Sequence, residues 1–328
     1  MTVADMARLA GHAEEAGLDG AYLVEAWRTT PTCLAALALA TERIRIGPYV
    51  MNAHSRSPLF AGMAAVDLDE IAGGRLALAV GSGNRITNEK YQGIPVVRPL
   101  EKMRDYLEIL ALVTRARAGD RIEYAGEMHS SSGWVSQVTP VRDRIPIHLA
   151  ATSPRMEQIA ASFADGVALG SLVSASFVAD VRSRFVTSEQ PDFEIRATAF
   201  VSVDDDPERA REATRRAVVN LYAGKPHPHY DALLRRQGFE ETADLVSLHV
   251  EAGDLDKAAA SVDDEVVDAL SISGTAQDCK RRLAEYSGAA DELILMNVGA
   301  MRFEAAPEAR PDADSMLASY DALLALAS

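Results

Sequence analysis

Only two cysteines, Cys33 and Cys279, stand in 328 residues. They are too few to staple a chain of this size, and neither has neighbouring Cys or His at the spacing of a metal site. A reducing, cytoplasmic setting and no bound metal are the expectation. No run of about 18 apolar residues occurs, and no basic segment leads into an apolar one at the start. A membrane span and an export signal are therefore not expected. Basic residues are in deficit, 33 against 48 acidic, for a net charge of −15. Such a surface repels phosphodiester backbones and anionic membranes, so nucleic acid and membrane drop out as partners. There is no Gly-, Ser- or Pro-rich linker and no low-complexity segment. The chain 1–328 is accordingly expected to form one domain.

What is present is an ordinary globular balance, 48% hydrophobic and 25% charged residues. At this length the chain buries a large core, and α/β barrels of this size occur as one unit. Met6, Leu9, Ala10, Ala13, Ala16 and Leu18 approximate a helical apolar stripe ended by Gly17. Strand-like runs follow at 21–24, 43–50, 75–80, 145–150, 166–169, 195–203 and 292–296, seven in all. Helical stretches separate them at 31–41, 60–72, 99–118, 154–163 and 175–185, while 119–140 reads as rich in turns. Strands separated by helices pair in parallel, because parallel neighbours need a crossover. From about 207 to 270 the pattern is helical without a strand, as in an insertion. The expected fold class is α/β, a (β/α)8 TIM-type barrel, with an open doubly wound sheet as its alternative.

In such folds the loops leaving the carboxyl ends of the strands build the site. Five junctions stand out: Glu25-Ala26-Trp27-Arg28, Met51-Asn52-Ala53-His54-Ser55-Arg56, Gly81-Ser82-Gly83-Asn84, Ala151-Thr152-Ser153-Pro154 and Gly170-Ser171. Small and hydroxylated residues recur where a planar ring or a phosphate needs close backbone approach. Gly81-Ser82-Gly83 is not the dinucleotide fingerprint, since Ile86 stands in the place of its third glycine. Thr152-Ser153-Pro154 taken alone is a helix cap. His227 and His229 lie two apart between prolines with no third ligand nearby, which favours a rigid surface loop over a metal site. Cys279 falls on an amphipathic helix and reads as packing. Glu25 and Trp27 are costly to bury without purpose and are candidate catalytic residues. His54 and Arg56 are candidates for holding an anionic group at the outer rim.

Taken together, AEEAGLDGAYLVEAW, ATERIRIGPYVMNAHSRSP, LDEIAGGRLALAVGSGN, IPIHLAATSPRMEQIAASFADGVALG and SGTAQDCKRRLAEYSGAADELILM resemble the bacterial-luciferase-like superfamily over nearly the whole chain. Within it they most resemble the branch that uses the 5-deazaflavin coenzyme F420, typified by methylenetetrahydromethanopterin reductase. The resemblance implies a barrel carrying the ring across its strand ends, with a non-prolyl cis peptide at Tyr49–Val50 bulging against it. Tyr49, Val50, Met51, Asn52 and Gly81, Ser82, Gly83 and Asn84 would line the ring and its side chain. Thr152, Ser153, Gly170 and Ser171 would take the phosphate side. Two departures stand against the pattern. The usual first strand of type KFGI is missing, Met1 being already at the helix, and an Asp-His pair found in several deazaflavin enzymes is replaced by Glu25-Ala26.

The implied activity is hydride transfer between the reduced deazaflavin and a small organic substrate, with Trp27 walling the pocket and Glu25 hydrogen-bonding or protonating the substrate. Other readings are an FMN-dependent monooxygenase served by a partner flavin reductase, and a non-catalytic flavin-binding protein. Related barrels pair through helices beside the early strands, which implies a homodimer.

Overall fold

The computed structural model of the protein describes residues 1–223, 228–299 and 313–327. His227 lies outside the described residues. The chain divides into two compact units, one of Thr2–Ala168 and the other from Leu169 onward.

The first unit opens on a helix, α1 (Val3–Glu15), as the apolar stripe predicts. Thr2 and Asp5 cap it reciprocally, the Thr2 hydroxyl accepting from the Asp5 amide at 3.2 Å and the Asp5 carboxylate from the Thr2 amide at 2.8 Å. There follow β1 (Gly20–Leu23), α2 (Thr30–Leu39), β2 (Arg45–Pro48), β3 (Met51–Asn52), α3 (Pro58–Ile71), β4 (Leu78–Gly81) and α4 (Pro99–Arg115). After these come the hairpin β5 (Arg121–Ala125) and β6 (Ser130–Val135), then β7 (Ile147–Ala150), α5 (Pro154–Phe163) and β8 (Gly166–Leu169). Pro58, Pro99 and Pro154 each open a helix, where a missing N–H costs nothing.

β1 pairs with β2, β3 with β4, β4 with β7 and β7 with β8, all in parallel. Ile46 of β2 also bridges Leu76, just before β4. The crossover helices that parallel pairing demands are those expected. The expected strand at 43–50 is split, however. β2 stops at Pro48, the Tyr49–Val50 peptide is cis, and β3 resumes at Met51. Gly47 is required here, because a Cβ would stand 1.9 Å from the Ala77 carbonyl oxygen.

The stretch 119–140 is not merely turns. β5 and β6 pair antiparallel there, and Ile122, Tyr124 and Trp134 pack with Ile109 and Val113 of α4. Alternation was hidden by a register shift at Ile122/Glu123 and by three serines, Ser130 to Ser132, that carry no apolar signal.

The second unit contains α6 (Ala175–Phe185), β9 (Glu194–Val203), α7 (Pro207–Ala223), α8 (Pro228–Arg235), α9 (Glu240–Glu251), α10 (Leu255–Ala260) and α11 (Asp264–Leu270). β10 (Ser271–Gly274), α12 (Ala276–Glu285), β11 (Glu292–Asn297) and α13 (Ala313–Leu324) complete it. β9 is paired in parallel by β10 on one edge and β11 on the other. Among the described residues, Pro207 to Leu270 is helical, as the pattern predicts. β10 was not expected. Its four residues, SISG, are all buried, but the serines satisfy one another and nearby groups. Ser271 donates to the Val267 carbonyl at 2.7 Å, and Ser273 lies 2.6 Å from the Thr214 hydroxyl.

Candidate active site at the strand ends

The carboxyl ends of the first unit's strands converge on Glu25, which follows β1. One of its oxygens accepts from the Thr30 amide at 3.1 Å and the Thr30 hydroxyl at 3.2 Å. The other accepts from the Asn52 amide at 2.9 Å, and the Arg56 guanidinium forks across both at 2.5 Å. Burial works to raise the Glu25 pKa. The Arg56 hydrogen bonds, then the Asn52 and Thr30 amides, outweigh it, and the carboxyl ends below its ordinary value. An acid so held has no proton to give at neutral pH. In this arrangement Glu25 ties the loops after β1 and β3 together. Nor is Arg56 at an outer rim; its side chain is 20% exposed and engaged with Glu25.

Asn52 continues this network. Its side-chain oxygen accepts from the His54 amide at 2.9 Å, and its NH2 donates to Asn88 at 2.7 Å, whose own NH2 reaches the Ser82 carbonyl at 2.8 Å. The loop after β3 is thus laced to the loop after β4. Gly83, at φ +66°, lies against the Asn52 amide group, where a Cβ would approach within 2.6 Å. Asn84 accepts from the Ile86 amide at 2.8 Å and starts a single wide turn, Thr87–Tyr91, that carries the buried Asn88. Nothing in the strand-end pattern singled out Asn88, because it lies six residues beyond the Ser82 carbonyl it holds.

Gly81 ends β4 with no space for a side chain: a Cβ would meet both Val50 and Ala150 at 2.9 Å. Val50, Gly81 and Ala150 are therefore packed closely together at the end of β4. Tyr49 packs edge-on against Tyr22, centroids 6.1 Å apart. Met51 is fully buried, so its side chain belongs to the core and offers a ligand no surface. Trp27 is 91% exposed rather than buried.

Thr152 and Ser153 follow β7. The Ser153 hydroxyl accepts from the Met156 amide at 3.4 Å and caps α5, while Pro154 has no N–H to give. The Ser153 hydroxyl, while accepting there, keeps its own O–H free to donate, and the Arg155 amide is a further main-chain donor at this helix start. Gly170 and Ser171 belong to the second unit. A Cβ on Gly170 would meet no atom within 4 Å, and the Ser171 hydroxyl lies 4.0 Å from the Met296 sulfur. Gln237 fastens the residues that follow. Its NH2 donates to the Leu172 carbonyl at 2.8 Å, and its oxygen accepts from the Ser174 amide at 2.9 Å.

His54 is 6% exposed, not at a rim. Burial is the first cause that pushes its pKa down, the Lys102 and His129 charges add to it, and the Ser82 main chain opposes; the result is about 4. Its imidazole is neutral at pH 7. Lys102 and Tyr106 on α4 and His129 before β6 complete a polar group that reasoning from strand ends missed, since none of the three follows a parallel strand.

The luciferase-like monooxygenase family model matches residues 1–292. The chain is 34% identical to a 5,10-methylenetetrahydromethanopterin reductase of Archaeoglobus fulgidus, with 84% of each chain covered. Among solved structures, the coenzyme F420 dependent tetrahydromethanopterin reductase from Methanopyrus kandleri matches with a TM-score of 0.76 at 24% identity, covering 90% of each chain. An F420-dependent secondary alcohol dehydrogenase matches with a TM-score of 0.71 at 14% identity, covering 100% of this chain and 96% of that one. These structural likenesses show the fold to be the (β/α) barrel type.

Proposed function

Because the chain belongs to the luciferase-like monooxygenase family and is an enzyme, we propose that it transfers a hydride between deazaflavin coenzyme F420 and a small organic substrate. The observation that carries the reading is the 34% identity, across 84% of both chains, to a methylenetetrahydromethanopterin reductase. The strand-end residues fit such a cofactor: Gly81 carries no side chain and has room for none, which leaves bare backbone beside Val50 and Ala150.

When bound, the deazaflavin supplies the carbon that gives or receives the hydride. Tyr49, Val50, Asn52 and the loop Gly81 to Asn84 would hold the ring and its side chain, and Thr152 with the start of α5 would take a phosphate. Asn52 and Asn88 keep the two loops in register, so that close approach costs no rearrangement on binding. Glu25 and Arg56 fix the floor beneath these loops and neutralise each other. With Glu25 held ionised, any proton the substrate needs comes from another donor. Pairing of two copies through the outer faces of α2 and α3 belongs to the same reading, supported by Leu39 at 79% and Phe60 at 67% exposure.

The test is turnover. The purified protein is mixed with reduced F420 and a panel of imines, ketones and activated alkenes, and regeneration of oxidised F420 is followed. Substrate-dependent oxidation of F420 is the expected result. Oxygen consumption with reduced FMN, and none of F420, would replace the reading with oxygenation.

A further inference from the structure

Four polar side chains of the first unit, His54, Lys102, Tyr106 and His129, lie together near the Glu25–Arg56 pair. His54 has only a loose contact with the Ser82 main chain, neither ring nitrogen making a hydrogen bond of good geometry, and the Tyr106 hydroxyl, on a fully buried side chain, has none. The Nε2 of His129 is likewise buried and unpartnered, its ring edge-on to Tyr106 with centroids 5.9 Å apart. Lys102 lies four residues before Tyr106 on α4 and so shares its helix face. It is near enough to His54 and His129 for its charge to depress both imidazoles. Buried polar groups are almost always paired, so this concentration calls for an explanation.

The neighbouring charges do not supply one. Lys102 forms no ion pair among the described residues. Glu25 is taken by Arg56, and Asp105 accepts from Arg104, the Tyr124 hydroxyl and the Met128 and His129 amides. What remains is an ammonium, a phenol and two neutral imidazoles, each of which can donate. The ammonium repels a metal cation, and no group of three metal-ligating side chains occurs among the described residues. A single water would satisfy only part of it and leave the lysine charge uncompensated.

We propose that Lys102, His54, Tyr106 and His129 form a subsite for an oxyanion, a carboxylate or phosphate group of a small molecule. An oxyanion brings negative charge for the ammonium and several lone pairs at once for the phenol O–H and the one N–H of each neutral imidazole. The subsite does not depend on the identity of the redox cofactor.

The test uses inorganic phosphate and acetate as probes, added at constant ionic strength while the imidazole signals of His54 and His129 are followed by nuclear magnetic resonance. The expected result is a saturable shift of both imidazoles, half-complete at about 1–10 mM, with His54 titrating higher in the complex. Lys102→Met should weaken the probe about tenfold or more. Tyr106→Phe, which keeps the ring packing, should weaken it about threefold or more and serves if the lysine variant does not fold. A competition arm separates the sources. Displacement of bound phosphate by F420 assigns the subsite to the cofactor's own phosphate, and co-binding assigns it to a substrate group. The proposal is overturned if neither probe saturates, or if a folded Lys102→Met or Tyr106→Phe protein binds them as the parent does.

Discussion

Two part-buried arginine–carboxylate forks in the first unit invite comparison. Asp69, at the end of α3, accepts two hydrogen bonds from Arg142 at 2.8 Å and one from the Leu76 amide at 3.1 Å, and Arg142 also reaches the Leu76 carbonyl at 2.7 Å. Beside it, Arg75 donates to the carbonyls of Ala38, Thr41 and Ile44 and to the Thr41 hydroxyl. This network sits before β4, at the amino ends of the strands. Glu25 and Arg56 make a fork of similar geometry at the carboxyl ends, yet around it His54, Tyr106 and His129 keep unpaired polar atoms. The same ion pair closes one end of the unit and floors an open site at the other. Completeness of hydrogen bonding, not the presence of buried charge, separates the structural end from the functional end.

The comparison can be broken most readily at the closed end. Asp69→Ala strands the Arg142 guanidinium and the Leu76 amide, and should cost about 3 kcal/mol or more in denaturant unfolding. Ligand affinity of the folded fraction should stay within about twofold. At the open end, Arg56→Leu leaves Glu25 buried without its counter-ion, for a loss of about 2–3 kcal/mol together with a large fall in turnover. If Arg56→Leu spared turnover, the contrast between the two ends would fail. Gly81→Ala comes next: its methyl must displace Val50 or Ala150, so about 1–2 kcal/mol of stability and about tenfold in cofactor affinity should go.

Acid sharpens the same contrast. His54 and Glu25 both have folded pKa values below their ordinary ones, so each stabilises the protein at higher pH. The His54 contribution is complete above 6.5 and is lost as pH falls toward about 4. The Glu25 contribution is complete above 4.5 and is lost as pH falls through its lower folded value. Glu25→Gln should remove the second limb of the stability–pH curve and leave the first. The smallest effect belongs to Trp27→Ala. At 91% exposure it should move stability by no more than about 0.5 kcal/mol.

Much of this was legible in the sequence. Helix and strand alternation, the Pro-opened helices and the break in RIRIGPYV located the strand ends and hence Glu25, Asn52 and Gly81. Those signals are local, carried by periodicity and by Gly and Pro. The roles were harder. Glu25 looked like a proton donor because its partner, Arg56, lies 31 residues away, and no local pattern reports a fork across that distance. Trp27 looked buried because aromatic residues usually are. Lys102, Tyr106 and His129 were invisible because a helix and an antiparallel hairpin, not a parallel strand, bring them in. β10 escaped because its burial is satisfied by serine hydroxyls rather than by apolar bulk.

The central claim is that the strand ends of the first unit hold a deazaflavin. The direct measurement is equilibrium binding of oxidised F420 and of FMN to the purified protein, followed by the emission of each cofactor, for the parent and for Gly81→Val. The account predicts saturable binding of F420 in preference to FMN, with F420 affinity reduced by about tenfold or more in the variant. Tight FMN binding without F420 binding, or an F420 affinity untouched by Gly81→Val, would contradict it.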